Sequence, residues 1–165
     1  MAFLLFLKKL IYDEIEKYRK PGTLVSSNTS GIPIHLMAEG RSEDFKKHFC
    51  GTHFFNPPRY LRLLEIIPTP HTSPEVVDFL MEYGDLFLGK TTVHCKDTPA
   101  FIANRIGVFS IMLIFNSMEK LGLTIDEIEA PAPTNIASNI FPAALVTCPF
   151  ADSGFVIHLV FEANA

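Results

Sequence analysis

His48 to Pro68 reads H-F-C-G-T-H-F-F-N-P-P-R-Y-L-R-L-L-E-I-I-P. An apolar run carries His53, Asn56-Pro57-Pro58 interrupts it, and a second run, Leu61 to Ile67, holds a single carboxylate, Glu65. Side chains alternate faces along an extended segment, so Leu61, Leu63, Glu65 and Ile67 share one face. A carboxylate among aliphatic neighbours is costly to bury unpaired. The histidine at the end of the neighbouring run is its natural partner. A His–Glu pair builds a base, because the carboxylate fixes the imidazole tautomer and stabilises the imidazolium. Spacing alone also allows, and on its own favours, a core histidine and an edge glutamate that never meet.

Upstream, Phe3 to Lys20 predicts a helix with an apolar stripe of Leu4, Leu7, Ile11 and Ile15, stopped by Pro21-Gly22. Thr23 to Ser27 is a short strand, and Asn28-Thr29-Ser30-Gly31 a polar turn. Helix, strand and turn in that order make an α/β unit, in which ligands sit beyond the carboxyl ends of the strands. Asn28, Thr29 and Ser30 are placed for such a ligand; alternatively they cap the helix that starts near Ile32. Ile34 to Ala38 is a short helix ending at Gly40, and Arg41 to Lys47 reads as a charged, solvated loop.

Downstream, Ser73-Pro74-Glu75 opens a helix that runs to about Phe87, with Val76, Val77, Leu80 and Met81 inward. Lys90 to Cys95 is a further strand. A second region starts at Asp97-Thr98-Pro99, where Thr98 caps and Pro99 opens a helix to about Leu121. Its apolar residues Phe101, Ile102, Phe109, Met112, Leu113 and Phe115 cover more than one face, as in a larger core or an oligomer interface. Asn104 points either to solvent or to a site. Asp126 to Glu129 opens a helix that Pro131 and Pro133 cut short.

The 165 residues suffice for one domain or two small ones. They are 48% hydrophobic with a formal charge of −4, and the scattered Lys and Arg leave no nucleic-acid footprint. Cys50, Cys95 and Cys148 are odd in number and widely spaced, which favours reduced thiols in a cytoplasmic setting. The histidines show no metal-ligand spacing, so no metal is expected. The apolar start, Met1 to Leu7, has its lysines after the run and no cleavage site, unlike a signal peptide. Ala130 to Ala151 lacks charge but is broken by prolines, so no membrane span is expected.

Four stretches in order, S-N-T-S-G-I-P (Ser27–Pro33), G-T-H-F-F-N-P-P (Gly51–Pro58), L-L-E-I-I (Leu63–Ile67) and K-D-T-P-A-F-I-A-N-R (Lys96–Arg105), resemble the 3-hydroxyacyl-CoA dehydrogenases of fatty-acid β-oxidation. The likeness is greatest to the bacterial multifunctional proteins that join this activity to an enoyl-CoA hydratase. It covers about residues 10–125. It implies a Rossmann-type NAD-binding domain followed by an all-helical domain, with the active site in the cleft between them. It also implies a catalytic His53 partnered by Glu65 and substrate contacts from Ser30 and Asn104. Asn28, Ser30 and Asn56 would lie on the nicotinamide side of an NAD cofactor. The implied substrate is a 3-hydroxyacyl-CoA, and the implied partner is a second copy bound through the helix starting at Pro99.

Two departures qualify the resemblance. The chain contains no G-x-G-x-x-G, the loop that grips the dinucleotide pyrophosphate. The βαβ unit carrying it is expected before residue 1. From about residue 130 the family's helical pattern is lost, and the tail Asn135–Ala165 suggests a truncated or frameshifted gene product. The expected fold is therefore α/β. Residues 1–96 form the C-terminal half of a Rossmann-type domain, and 97–165 the start of the helical domain, atypical from about 130.

Overall fold

The computed structural model describes residues 2–124. The helix expected at Asp126 to Glu129, the tail Asn135–Ala165, Cys148 and His158 lie outside them. The chain divides into two compact units at Val108/Phe109. The first contains α1 (Ala2–Tyr18), β1 (Val25–Ser27), α2 (Ile34–Ala38), α3 (Glu43–Lys47), β2 (Phe49–Phe54), β3 (Leu63–Pro68), α4 (Pro74–Leu86), β4 (Thr91–His94) and the start of α5 (Ala103–Leu121).

The four strands form one sheet in the order β1-β2-β3-β4. β1/β2 and β3/β4 are parallel, and β2/β3 is antiparallel. The parallel pairs have helical crossovers between them, as parallel pairing requires. The connection from Phe54 to Leu63 is too short for a crossover, so the chain turns back on itself there. Successive residues of β2 and β3 face opposite helical layers. Phe49 and Ile67 pack with Tyr12, Ile34, Met37, Phe45 and Phe101 on one face, while Cys50, Leu64 and Ile66 pack with Val76 and Leu80 of α4 on the other. Rings fill the first core, with Tyr12–Phe49 centroids 5.2 Å apart and Phe45–Phe49 5.0 Å. The expected inward residues of α4 hold.

Three local expectations are corrected. The face that α1 buries is Leu5, Tyr12 and Ile15, with Leu4, Leu7 and Ile11 exposed. A long apolar sequence leaves several possible stripes, and sheet packing selects one. Arg41 to Lys47 is not a solvated loop. Ser42 caps the single turn of α3 by accepting from Phe45 N at 3.2 Å, Phe45 is fully buried, and Arg41 is paired with Asp13 and Glu16 of α1. The last helix does not begin at Pro99. Ala100 and Phe101 adopt φ of 62° and 48°, and the helix starts at Ala103.

That left-handed pair is strained, because an L side chain there crowds its own backbone. We expect Ala100→Gly to raise stability by about 0.5–1 kcal/mol, by the same reasoning that favours glycine at positive φ. The opposite case is Gly51 in β2, where an added Cβ would lie 2.7 Å from Ile34 Cδ1 and 3.0 Å from Ile67 Cβ. We expect Gly51→Ala to lower stability by about 1–3 kcal/mol through overpacking. Urea denaturation of the two variants beside the wild type checks both.

Candidate active site

The antiparallel register places His53 of β2 directly opposite Glu65 of β3. Both side chains lie on the α1/α2 face and both are enclosed, at 3% and 1% exposure. The imidazole Nδ1 is 2.7 Å from Glu65 Oε2. A carboxylate can only accept, so Nδ1 donates and Nε2 is left with the basic lone pair. The other carboxylate oxygen, Oε1, accepts the backbone N–H groups of Ile102 at 3.0 Å and Ala103 at 2.8 Å. Three donors therefore offset the cost of burying this acid. Positive charge at the start of α5 also favours a carboxylate there.

Aromatic rings complete the surroundings of the imidazole. Phe55 stands edge-on to it at 4.5 Å, and the buried Phe101 lies 5.6 Å away. The left-handed turn at Ala100 and Phe101 serves both contacts, bringing the ring onto His53 and the next two amides onto Glu65. Ser30 and Asn104 also meet, with Asn104 Nδ2 donating to the Ser30 carbonyl at 2.7 Å. Asn104 therefore turns toward the polar turn after β1. Asn28 Oδ1 accepts from Phe54 N at 3.1 Å, joining the end of β1 to the end of β2. Asn56 is exposed in the connection that follows β2.

Asn28, Thr29 and Ser30 do not cap α2. Its N-cap is Pro33, without a side-chain cap bond, and the carboxylate of Asp97 takes the first two amides instead. Asp97 is one of three participants the sequence reading passed over. The second is Phe101, read there as part of a helix face. The third is Lys90, a buried ammonium that donates to the carbonyls of Pro58 and, at 2.8 Å, Leu61, with the Phe54 ring 5.8 Å away. It pins the connection that carries Asn56. A lone lysine after Gly89 gave one usable signal, since it precedes a strand and has no acidic neighbour in sequence.

Cys50 and Cys95 are free and buried. Burial pushes the Cys50 thiol up to about 12; burial first, and then the neighbouring Glu65 charge, does the same for Cys95. Among the described residues no group of His, Cys, Asp and Glu could hold a metal ion, and no helix is long and apolar enough to cross a membrane.

Two outcomes follow. Glu65→Ala leaves two amides and an imidazole N–H without their acceptor, so a loss of about 3–5 kcal/mol is expected in denaturant unfolding. A rise in thiol pKa of this size leaves about a thousandfold less thiolate at pH 8. Iodoacetamide mapped by mass spectrometry is therefore expected to modify Cys50 and Cys95 at least that much more slowly in the native chain than in urea.

Residues 5–98 match the family described as 3-hydroxyacyl-CoA dehydrogenase, NAD binding domain. The chain is 52% identical over 124 residues to a probable 3-hydroxyacyl-CoA dehydrogenase of Bacillus subtilis, covering 75% of this chain and 16% of that protein. It is 49% identical over 137 residues to one of Deinococcus radiodurans, covering 81% of this chain and 40% of that one. The crystal structure of 3-hydroxybutyryl-CoA dehydrogenase from Escherichia coli is similar with a TM-score of 0.65 at 33% identity, over 70% of this chain and 24% of that one. The (S)-3-hydroxybutyryl-CoA dehydrogenase of Ralstonia eutropha gives 0.65 at 30%, over 74% and 42%. This chain thus spans less than half the length of these relatives.

Proposed function

This chain belongs to the 3-hydroxyacyl-CoA dehydrogenase family, and we propose that it carries the proton-transfer half of a site that oxidises 3-hydroxyacyl-CoA to 3-ketoacyl-CoA. The observation that supports this most is the enclosed His53–Glu65 contact at 2.7 Å, which leaves Nε2 basic. In this reading Nε2 of His53 takes the proton of the substrate 3-hydroxyl. Glu65 holds the ring in the required tautomer and stabilises the imidazolium that forms. Ser30 and Asn104 orient the hydroxyl and the thioester carbonyl. Phe55 and Phe101 keep water off the imidazole, which strengthens the charge pairing inside.

The matched domain is an NAD-binding one. The side chains at the carboxyl ends of β1 and β2, Asn28, Ser30 and Asn56, are neutral donors and acceptors that suit the carboxamide and hydroxyls of a nicotinamide nucleotide. When bound, that nucleotide accepts the hydride from substrate C3. The same proposal keeps the domain boundary near Asp97 and the cytoplasmic setting. It also assigns a homodimer to the helix after Pro99, where Val108, Phe109, Met112 and Phe115 are exposed.

A second reading is that this chain is an inactive binding or dimerisation module. The exposed apolar residues Val108, Phe109, Met112 and Phe115 favour it, as a face that a partner could cover. Incubation of purified chain with NAD and 3-hydroxybutyryl-CoA, followed by NADH absorbance, separates the two. Activity that His53→Ala lowers by about 10²–10⁴-fold supports the catalytic reading. Recovery of turnover on adding a glycine-loop βαβ segment in trans supports the catalytic half, whereas no turnover even then supports the module.

A further inference from the structure

His53, Glu65 and Ser30 are all touched by one short segment, Asp97 to Asn104, whose first residue holds the entry to α2. The Asp97 side chain is only 8% exposed. Its Oδ1 accepts from Ile34 N at 2.6 Å, and its Oδ2 from His35 N at 2.7 Å and from His35 Nδ1 at 2.6 Å. Three charge-assisted bonds offset the burial of this carboxylate. They fix the point at which the Asn28–Pro33 loop enters α2.

That loop is held in three places. Asn28 ties its start to Phe54 N, Asn104 ties its middle through the Ser30 carbonyl, and Asp97 ties its end. Two of these anchors lie on the same segment, seven residues apart in sequence. Between them, Phe101 rests on His53 and the Ile102 and Ala103 amides hold Glu65.

We propose that Asp97 is a positioning residue, which sets Ser30 in register with Asn104 and so fixes the substrate-orienting groups relative to the base. This rests on the roles proposed above for Ser30 and Asn104. Both carboxylate oxygens are needed. An amide at this position would turn an N–H toward a backbone N–H and lose one arm of the fork. The His35 ring is 46% exposed, and removing it leaves the backbone fork in place.

The test is nuclear magnetic resonance of the ¹⁵N-labelled chain carrying Asp97→Ala, Asp97→Asn or His35→Ala. In both Asp97 variants we expect the Asn104 side-chain amide signal to move and the Ile34 and His35 amides to exchange at least tenfold faster. Amides of the β2–β3 ladder should keep wild-type rates, and His35→Ala should leave the Asn104 signal unmoved. An Asn104 signal unchanged in Asp97→Asn, with only the Ile34 and His35 amides released, would overturn the proposal and reduce Asp97 to a local cap. Should Asp97→Ala fail to fold, Asp97→Asn, which keeps the shape and one acceptor, decides. Where turnover is measurable, KM for the acyl-CoA should rise at least tenfold with NAD affinity unchanged; an equal loss of NAD affinity counts against the proposal. The resonance readout needs no turnover, so an inactive wild-type chain would speak against the proposed function and leave the Asp97 result standing.

Discussion

One buried carboxylate organises the first compact unit. Glu65 sits in the centre of a mixed sheet, where an unpaired acid could not persist. It is stabilised by an imidazole from the adjacent strand and by two amides from the start of α5. The same three bonds therefore serve stability and chemistry together. They fix the tautomer of His53, and they determine where the helix after the last strand begins. A neutral or shorter side chain at position 65 would satisfy at most part of this set.

The geometry has a local cost. Ala100 and Phe101 are both left-handed, and backbone of this kind persists only where the surroundings over-determine it. Here the surroundings are identifiable: Phe101 is buried against the first core and His53, and the following amides reach Glu65. Lys90 shows a similar trade at the other end of the sheet. Its ammonium is buried with carbonyl oxygens and an aromatic face around it, and in return the β2–β3 connection is held to the start of β4.

Much of this was legible in the sequence. The two-residue period of Leu61 to Ile67 and the chain break at Asn56-Pro57-Pro58 sufficed to suggest that Glu65 needs a partner and that His53 is near. Pro74 and Ser73 marked the start of α4 because proline at the first helical position needs no donor. The start of α5 was misjudged for the same reason. Pro99 carries an equally good start signal, but the competing demand of Glu65 for two amides delays the helix to Ala103. The inward face of α1 could not be read, since Phe3 to Ile11 is apolar nearly all round and no periodicity singles out Leu5 and Tyr12. The role of Asp97 was invisible for another reason. Its partners lie more than sixty residues away and are backbone amides, which no side-chain pattern announces.

The direct His53–Glu65 opposition makes the two strands unequal to the connection between them in evolutionary tolerance. Because strand side chains alternate, one residue gained or lost inside β2 before His53 would turn the imidazole toward the α4 layer, among Leu64, Ile66, Val76 and Leu80. A length change between Asn56 and Arg62 leaves the pairing register untouched and disturbs the bend and the carbonyls that Lys90 holds. Insertions and deletions among descendants of this sequence should therefore collect in that bend, while β2 and β3 drift by substitution alone.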